Sequence, residues 1–347
     1  MLVREIGEFG VIERLNRMVV GRGEGNEAVR AFPLLVDTGD DTAVWQTGEG
    51  RELFTTDTMV EGVHFTRKTT PWRELGWKAI ASNISDVASM GGLPTYALIT
   101  LGLPPETMVS HIEEMYRGML EIGAEYGMGV VGGDIVRSPV FFVTTALTGV
   151  AQRPPLLRST ARPGDAVGVS GWLGSSAGGL RLMLNSEIAE GPDATGEAAD
   201  FLRNAHRRPA PAVQAGQVLS QKGIETAMDV SDGLVDDLGK LCAASGVAAR
   251  INASAVPTHP LLRHQFPDEC LSLALGGGED YVLLFTGPPG VVGPLIPQLG
   301  EGSAVIGTVV SPEELGGAGR VAVLDDTGRE LSLSGGGWDH FEQTGAH

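Results

Sequence analysis

The chain has 347 residues, and its 43 Asp and Glu against 25 Lys and Arg give a formal charge of −18. That field repels a phosphate backbone, and with only five Trp, four Tyr and ten Phe there is little to stack on bases, so nucleic acid is excluded as the main partner. A 42% hydrophobic share excludes whole-chain disorder, and no apolar run reaches the roughly 18 residues a membrane helix needs.

Taken in chain order, the pattern begins with a predicted helix over residues 3–20, where Val3, Ile6, Val11, Leu15 and Met18 recur near a 3.6-residue period. Residues 21–30 form a Gly-rich, charged loop candidate, and 53–60 have strand composition. Pro71 and Gly91-Gly92 bracket a predicted helix at 72–90, and Pro105 and Gly127 bracket another at 105–127. Strand-like runs follow at 128–136 and 141–151. Two prolines in QRPPLL (152–157) break the pattern, and length alone suggests two domains, so a boundary is placed after residue 151. The second half restarts with a short buried strand at 165–171 and helices at 175–184, 197–206, 210–221 and 234–245. A strand and turn at 226–233 and strands near 281–286, 304–310 and 321–325 complete it. Strands and helices mix in both halves, which predicts an α/β or α+β class with two domains, 1–151 and 152–347.

Fifty glycines are about 14% of the chain, twice the usual share, and they cluster in turns between apolar runs. Lysine is scarce: Lys68, Lys78, Lys222 and Lys240. The opening MLVREIGEFG carries Glu5 and Glu8 and no signal-peptide core, and the two cysteines, Cys242 and Cys270, fit a reducing compartment. The expected setting is the cytoplasm. The motif of a P-loop nucleotide site is absent, as are HExxH, GxSxG and the protein-kinase signatures.

What remains is a set of carboxylates in small-residue turns: Gly39-Asp40-Asp41, Thr55-Thr56-Asp57, Ser85-Asp86, Gly132-Gly133-Asp134, Asp229-Val230-Ser231-Asp232-Gly233 and Gly277-Gly278-Glu279-Asp280. Each taken alone reads equally as a turn former or a helix cap. As a set they sit beside apolar runs, where an unpaired carboxylate is costly, and few lysines are available as partners. A bound divalent cation lowers that cost, and hard oxygen ligands suit Mg²⁺ carrying phosphate oxygens. The neighbouring glycines let backbone N–H groups approach an anion.

The segments GDDTAV (39–44), TTDTMVEGVHF (55–65), KAIASNISDVASMGG (78–92), GGDIVRS (132–138), RPGDAVGVSG (162–171), DVSDGLVDDL (229–238), GGGEDYVLLF (276–285) and GWDHF (337–341) occur in order. Through them the chain resembles the thiamine-monophosphate kinase family, from about Gly7 to Phe341. That family belongs with the ATP-using synthetases of the aminoimidazole ribonucleotide synthetase type. The resemblance implies transfer of the ATP γ-phosphoryl group to thiamine monophosphate, with several Mg²⁺ ions. It implies a homodimer in which residues 1–151 bind ATP and Mg²⁺ and pair across the two subunits as a β-barrel, while 152–347 form a C-terminal α/β domain. No nucleic acid or membrane partner is implied.

Carried over by position, Asp41, Thr55, Thr56, Asp57, Asp86, Asp134, Asp229 and Asp232 resemble the family's metal ligands, with Asp57, Asp134 and Asp232 central to catalysis. Gly133, Asp134, Arg158 and Ser231 resemble its nucleotide contacts, and His64, Glu279 and Trp338 its thiamine monophosphate contacts. The implied acceptor is a phosphate, already anionic near neutral pH, so no general base is needed. The difficulty is aligning two polyanions, which cations and Arg158 would ease. Trp338 offers a flat face to a cationic ring.

Two other readings stay open at this point. One is a different synthetase of the same superfamily. The selenophosphate-forming members carry a reactive Cys near the N-terminus, whereas the first Cys here is Cys242. The hydrogenase maturation members end in one, whereas this chain ends Gly-Ala-His, and the aminoimidazole ribonucleotide synthetases lack the GWDHF tail. The other is a non-catalytic protein that binds ATP and Mg²⁺.

Overall fold

The structure is a computed structural model, and it describes residues 1–20, 34–36, 44–45, 48, 50–185 and 195–331. In the first half the elements are α1 (Val3–Val20), β1 (Leu34–Val36), β2 (Val44–Trp45), β3 (Arg51–Val60), α2 (Trp72–Ser89), β4 (Leu93–Leu103), α3 (Val109–Tyr126), β5 (Gly129–Arg137) and β6 (Phe142–Ala151). The second half holds β7 (Ala166–Ser170), α4 (Ser175–Leu184), α5 (Glu197–Arg207), α6 (Val213–Gln221), β8 (Thr226–Asp229), α7 (Leu234–Ser245) and β9 (Ala248–Asn252). It continues with α8 (Pro260–Gln265), α9 (Cys270–Gly276), β10 (Leu283–Gly287), α10 (Pro289–Leu295), β11 (Ser303–Val310) and β12 (Val321–Leu324). The class is mixed α/β, as the sequence predicts.

Four strands of the first half form one sheet in the order β3-β6-β4-β5, antiparallel except for β4 with β5. One face carries Ile99, Leu101, Val143 and Leu147 and packs on Ile80, Ile84, Met115 and Met119 of α2 and α3. The two helices touch backbone to backbone: a Cβ on Gly76 would lie 1.8 Å from the Met115 carbonyl oxygen, and one on Gly118 equally close to that of Arg73. The other face leaves Phe54, Leu98 and Val136 at 73%, 47% and 40% exposure in this chain.

The second sheet runs β12-β9-β11-β7-β10-β8, with only β12 and β9 parallel. Leu234, Leu238 and Leu241 of α7 cover one side, and Leu219 of α6 with Val292 of α10 covers Phe285 on the other. Every residue of β7 and β10 is buried, which is why these segments read as continuous apolar runs.

Helices α1, α4 and α7 have the predicted bounds. The helix predicted from Pro105 begins instead at Val109. A residue before proline avoids the helical region, and residues 104–109 bond elsewhere: Val3 N donates to Thr107 O and Val109 N to Met1 O. Strand β4 has no counterpart among the predicted elements. LPTYALITLGL is apolar without a period of two, because the apolar Leu98 stands on the open face where a polar residue would mark the alternation. Among the described residues no helix is long and apolar enough to cross a membrane.

Candidate active site

A cleft of about 1250 Å³ lies where β3 and α2 of the first half meet α4, α5, the turn after β8 and the 276–281 loop of the second. Strand β3 alternates, with Leu53, Thr55, Asp57 and Met59 more buried than Phe54, Thr56 and Thr58. On α2, Lys78, Ser82, Ser85 and Asp86 fall at i, i+4, i+7 and i+8, along one helix face. Each of the four reaches a partner from a different segment. Lys78 Nζ donates to Glu279 Oε2 at 2.7 Å, and Ser85 Oγ to Asp229 Oδ2 at 2.8 Å. Thr55 Oγ1 donates to Asp86 Oδ2 at 2.5 Å, and Ser82 hydrogen-bonds Asp57.

The carboxylates feel one another in a row. Burial raises the pKa of Asp57, and the charge of Asp232 adds to it against the Ser82 bond. Burial pushes Asp86 up to about 6, with the Thr55 bond opposing and Asp57 reinforcing the shift. Asp229, 2% exposed, is pushed up to about 7 by burial and then by Asp86. Arg158 lowers both Asp86 and Asp229 from a distance. A string of buried, mutually repelling oxygens is the donor set that suits hard divalent ions.

Among the described residues, the three acidic groups whose oxygens all lie within 4.8 Å of one another are a different set, Asp232, Asp236 and Asp237. Lys240 Nζ already occupies that cluster, at 2.5 Å from Asp232, 2.5 Å from Asp236 and 3.0 Å from Asp237. Asp237 Oδ2 also accepts the backbone N–H groups of Ser231, Asp232 and Gly233, which fixes the turn leading into α7. Of the few lysines in the chain, Lys78 and Lys240 both pair with acids at the cleft.

The 276–281 loop is strained. Glu279 and Tyr281 have φ of 64° and 52°, unusual for residues with a Cβ. Between them, Asp280 accepts from Gly174 N at 2.6 Å and Ser176 N at 3.1 Å, capping α4 from a distant segment. Burial pushes the Asp280 carboxyl up to about 7 despite those bonds.

Of the residues singled out in the sequence, Thr56, Asp57, His64, Asp86, Asp229, Ser231, Asp232 and Glu279 line the cleft, and Thr55 touches it through Asp86. Thr56 Oγ1 donates to Thr145 O, and His64 Nδ1 accepts from Val60 N. Arg158 is exposed and acts on the acids through its charge. Asp134 and Gly133 are not brought to the cleft within this chain. Asp134 lies on β5, at the opposite edge of the sheet from Asp57, in the row Thr58–Thr144–Thr100–Asp134 on the open face. At Gly133 a Cβ would lie 1.9 Å from the Ile99 carbonyl oxygen, so the close approach of β5 to β4 itself requires glycine there. Asp41 and Trp338 lie outside the described residues. Sequence reasoning missed Lys78, His206, Asp237 and Lys240, and it named Asp280 without a role. For Lys78 a signal existed: a lone lysine in an otherwise apolar and small-residue helix stretch.

The fold and cleft place the chain in a recognised class: residues 39–151 match the family described as AIR synthase related protein, N-terminal domain. Hydrogenase maturation protein HypE in complex with ATP shares the fold, with a TM-score of 0.65 at 23% identity. The thiamine-monophosphate kinase of Aquifex aeolicus is 36% identical over 323 residues, which cover 90% of this chain and 98% of that one. That of Escherichia coli (strain K12) is 34% identical over 343 residues, 96% and 98% of the two chains. The solved structure of AaThiL complexed with AMPPCP and TMP aligns with a TM-score of 0.73 at 32% identity, covering 98% and 99%. The thiamine-monophosphate kinase of Stenotrophomonas maltophilia K279a gives 0.75 at 32%, covering 94% and 98%. The chain belongs to the thiamine-monophosphate kinase family.

Proposed function

We propose that this protein transfers the γ-phosphoryl group of ATP to thiamine monophosphate, giving thiamine diphosphate and ADP. The observation that carries the reading is the row Asp232, Asp57, Asp86 and Asp229 along one cleft, in a chain whose relatives over nearly its full length are such kinases. Similarity to the complex with AMPPCP and TMP supports ATP as co-substrate.

Asp57, Asp86 and Asp229 would hold Mg²⁺, joined by the Thr55 and Thr56 hydroxyls and, from the resemblance, Asp41 and Asp134. Asp232 would join once Lys240 yields its oxygen. Bound Mg²⁺ supplies charge neutralisation of the triphosphate. The chain's own residues do the rest by placement. No base is needed for a phosphate nucleophile, and the Ser176–His206 pair that lines the cleft is engaged by Lys78 and Glu279. Arg158, Ser231 and Gly133 are assigned to the nucleotide, and His64, Glu279 and Trp338 to thiamine monophosphate.

The domain division at 151/152 is part of the same proposal, supported by the family match ending at residue 151 and by each sheet drawing its strands from one side of it. So is a homodimer with a β-barrel, supported by the exposed apolar face bearing Phe54, Leu98 and Val136. The cytoplasm is the proposed setting. Incubation with ATP, Mg²⁺ and thiamine monophosphate, followed by chromatography, should yield thiamine diphosphate. Hydrolysis of ATP with no such product would refute the assignment.

A further inference from the structure

The most enclosed charge at the cleft is one that the metal and nucleotide assignments leave unused. Lys78 is 1% exposed, among the largest fully buried side chains of the described residues. Its Nζ donates to Glu279 Oε2 at 2.7 Å and contacts His206 Nε2 at 3.2 Å. An ammonium has only donors, so Nε2 accepts and the His206 ring proton sits on Nδ1. That nitrogen lies 3.1 Å from Ser176 Oγ and 3.4 Å from the same Glu279 Oε2. Thus α2 and α5 meet at one carboxylate oxygen of the strained loop, and the start of α4 contacts the His206 ring behind it.

Burying an ion pair this deeply is weak as a source of stability, because desolvation offsets most of the attraction and apolar side chains of similar volume do as well. The arrangement is instead suited to fixing a group. Glu279 retains 29% side-chain exposure and lines the cleft, while Lys78 and His206 grip it from behind through Oε2. A carboxylate so held cannot rotate away or take up a proton readily, and it presents a fixed acceptor to a cationic or N–H-bearing ligand.

We propose that Lys78 is a positioning residue for substrate recognition, holding Glu279 as an oriented, ionised acceptor for the thiamine moiety, with His206 as its brace. This rests on the reading of Glu279 as a thiamine monophosphate contact. The triphosphate of ATP is repelled by a fixed carboxylate, so the device is directed at the other substrate.

The test is steady-state kinetics on the full-length protein with each substrate varied separately. Lys78→Met should raise KM for thiamine monophosphate at least tenfold and leave KM for ATP within twofold. In a Glu279→Gln background the same change should add less than twofold, because the group it positions is gone. Equal KM effects on both substrates, or full additivity with Glu279→Gln, would mean that Lys78 is only structural and would overturn the inference. If Glu279→Gln raises the thiamine monophosphate KM while Lys78→Met does not, the positioning role alone falls. If Glu279→Gln leaves that KM unchanged, the reading of Glu279 falls and takes this inference with it. Should Lys78→Met fail to fold, His206→Gln must show the same one-sided KM effect, and its absence counts against the proposal.

Discussion

Ser85 and Asp229 stand 144 positions apart in the chain, yet the hydroxyl of the first donates to Oδ2 of the second at 2.8 Å. The bond joins α2, from the half with the four-stranded sheet, to the last residue of β8 in the six-stranded one. That bond opposes the burial that pushes the Asp229 carboxyl up to about 7. Ser85→Ala should therefore make Asp229 harder still to ionise. The expected result is a loss of about 1 kcal/mol of stability and a several-fold weaker dependence-midpoint for Mg²⁺ at neutral pH. Thermal unfolding and a Mg²⁺ titration of turnover measure the two effects. Unchanged Mg²⁺ dependence would separate Asp229 from the cation site.

Asp57→Asn should lower turnover more than a hundredfold while leaving the melting temperature the same or higher. Burial already disfavours the charged form of Asp57, so removing the charge relieves a cost in the ion-free protein, and only the reaction suffers. A melt and a turnover assay on the same sample decide it. Turnover at the parental rate would remove Asp57 from the site.

Much of this site is legible in the sequence because its acids sit in short, contiguous motifs. Asp57 sits within a strand-like run, Asp86 interrupts a helix of small and apolar residues, and Asp229, Ser231 and Asp232 stand close together at the end of β8 and in the turn after it. Their partners are not legible, because each comes from far away in the chain. Nothing near Glu279 announces that Lys78, 201 positions earlier, will hold its Oε2, nor that Asp280 will cap a helix beginning at Ser175. The same limit applies to Asp134. Its Gly-Gly-Asp turn resembles the others, but only the register of β3, β6, β4 and β5 reveals that it lies on the opposite edge from Asp57. Strand β4 is hidden for a different reason: Leu98 stands on the open face of the sheet, where a polar residue would have marked the alternation.

Acid should unfold the protein partly through His206. Burial, and then the Lys78 ammonium, lower its pKa from 6.5 to about 4. The unfolded chain thus binds a proton between those values that the folded protein refuses, so stability falls as pH drops from about 6.5 to about 4. A shift of that size corresponds to a loss of at most roughly 3 kcal/mol across the window. His206→Gln should flatten the pH dependence of unfolding in this range while leaving the region above pH 7 alone. Denaturant melts at several pH values for both proteins test this, and parallel curves would show that His206 is not the group responsible.

Gly133→Ala separates a steric requirement from a ligand contact. The added Cβ would sit 1.9 Å from the Ile99 carbonyl oxygen, a backbone atom that cannot swing aside as a side-chain tip could. Strand β5 must therefore move off β4, weakening the parallel pairing of Ile99 with Gly133 and Thr100 with Asp134. Overpacking of this kind costs about 1–3 kcal/mol. The expected outcome is a lower melting temperature, together with a raised KM for ATP in the protein that remains folded, because the same stretch of β5 is assigned to the nucleotide. If instead the variant melts like the parent while KM for ATP rises tenfold, the glycine is needed for the nucleotide and not for the sheet.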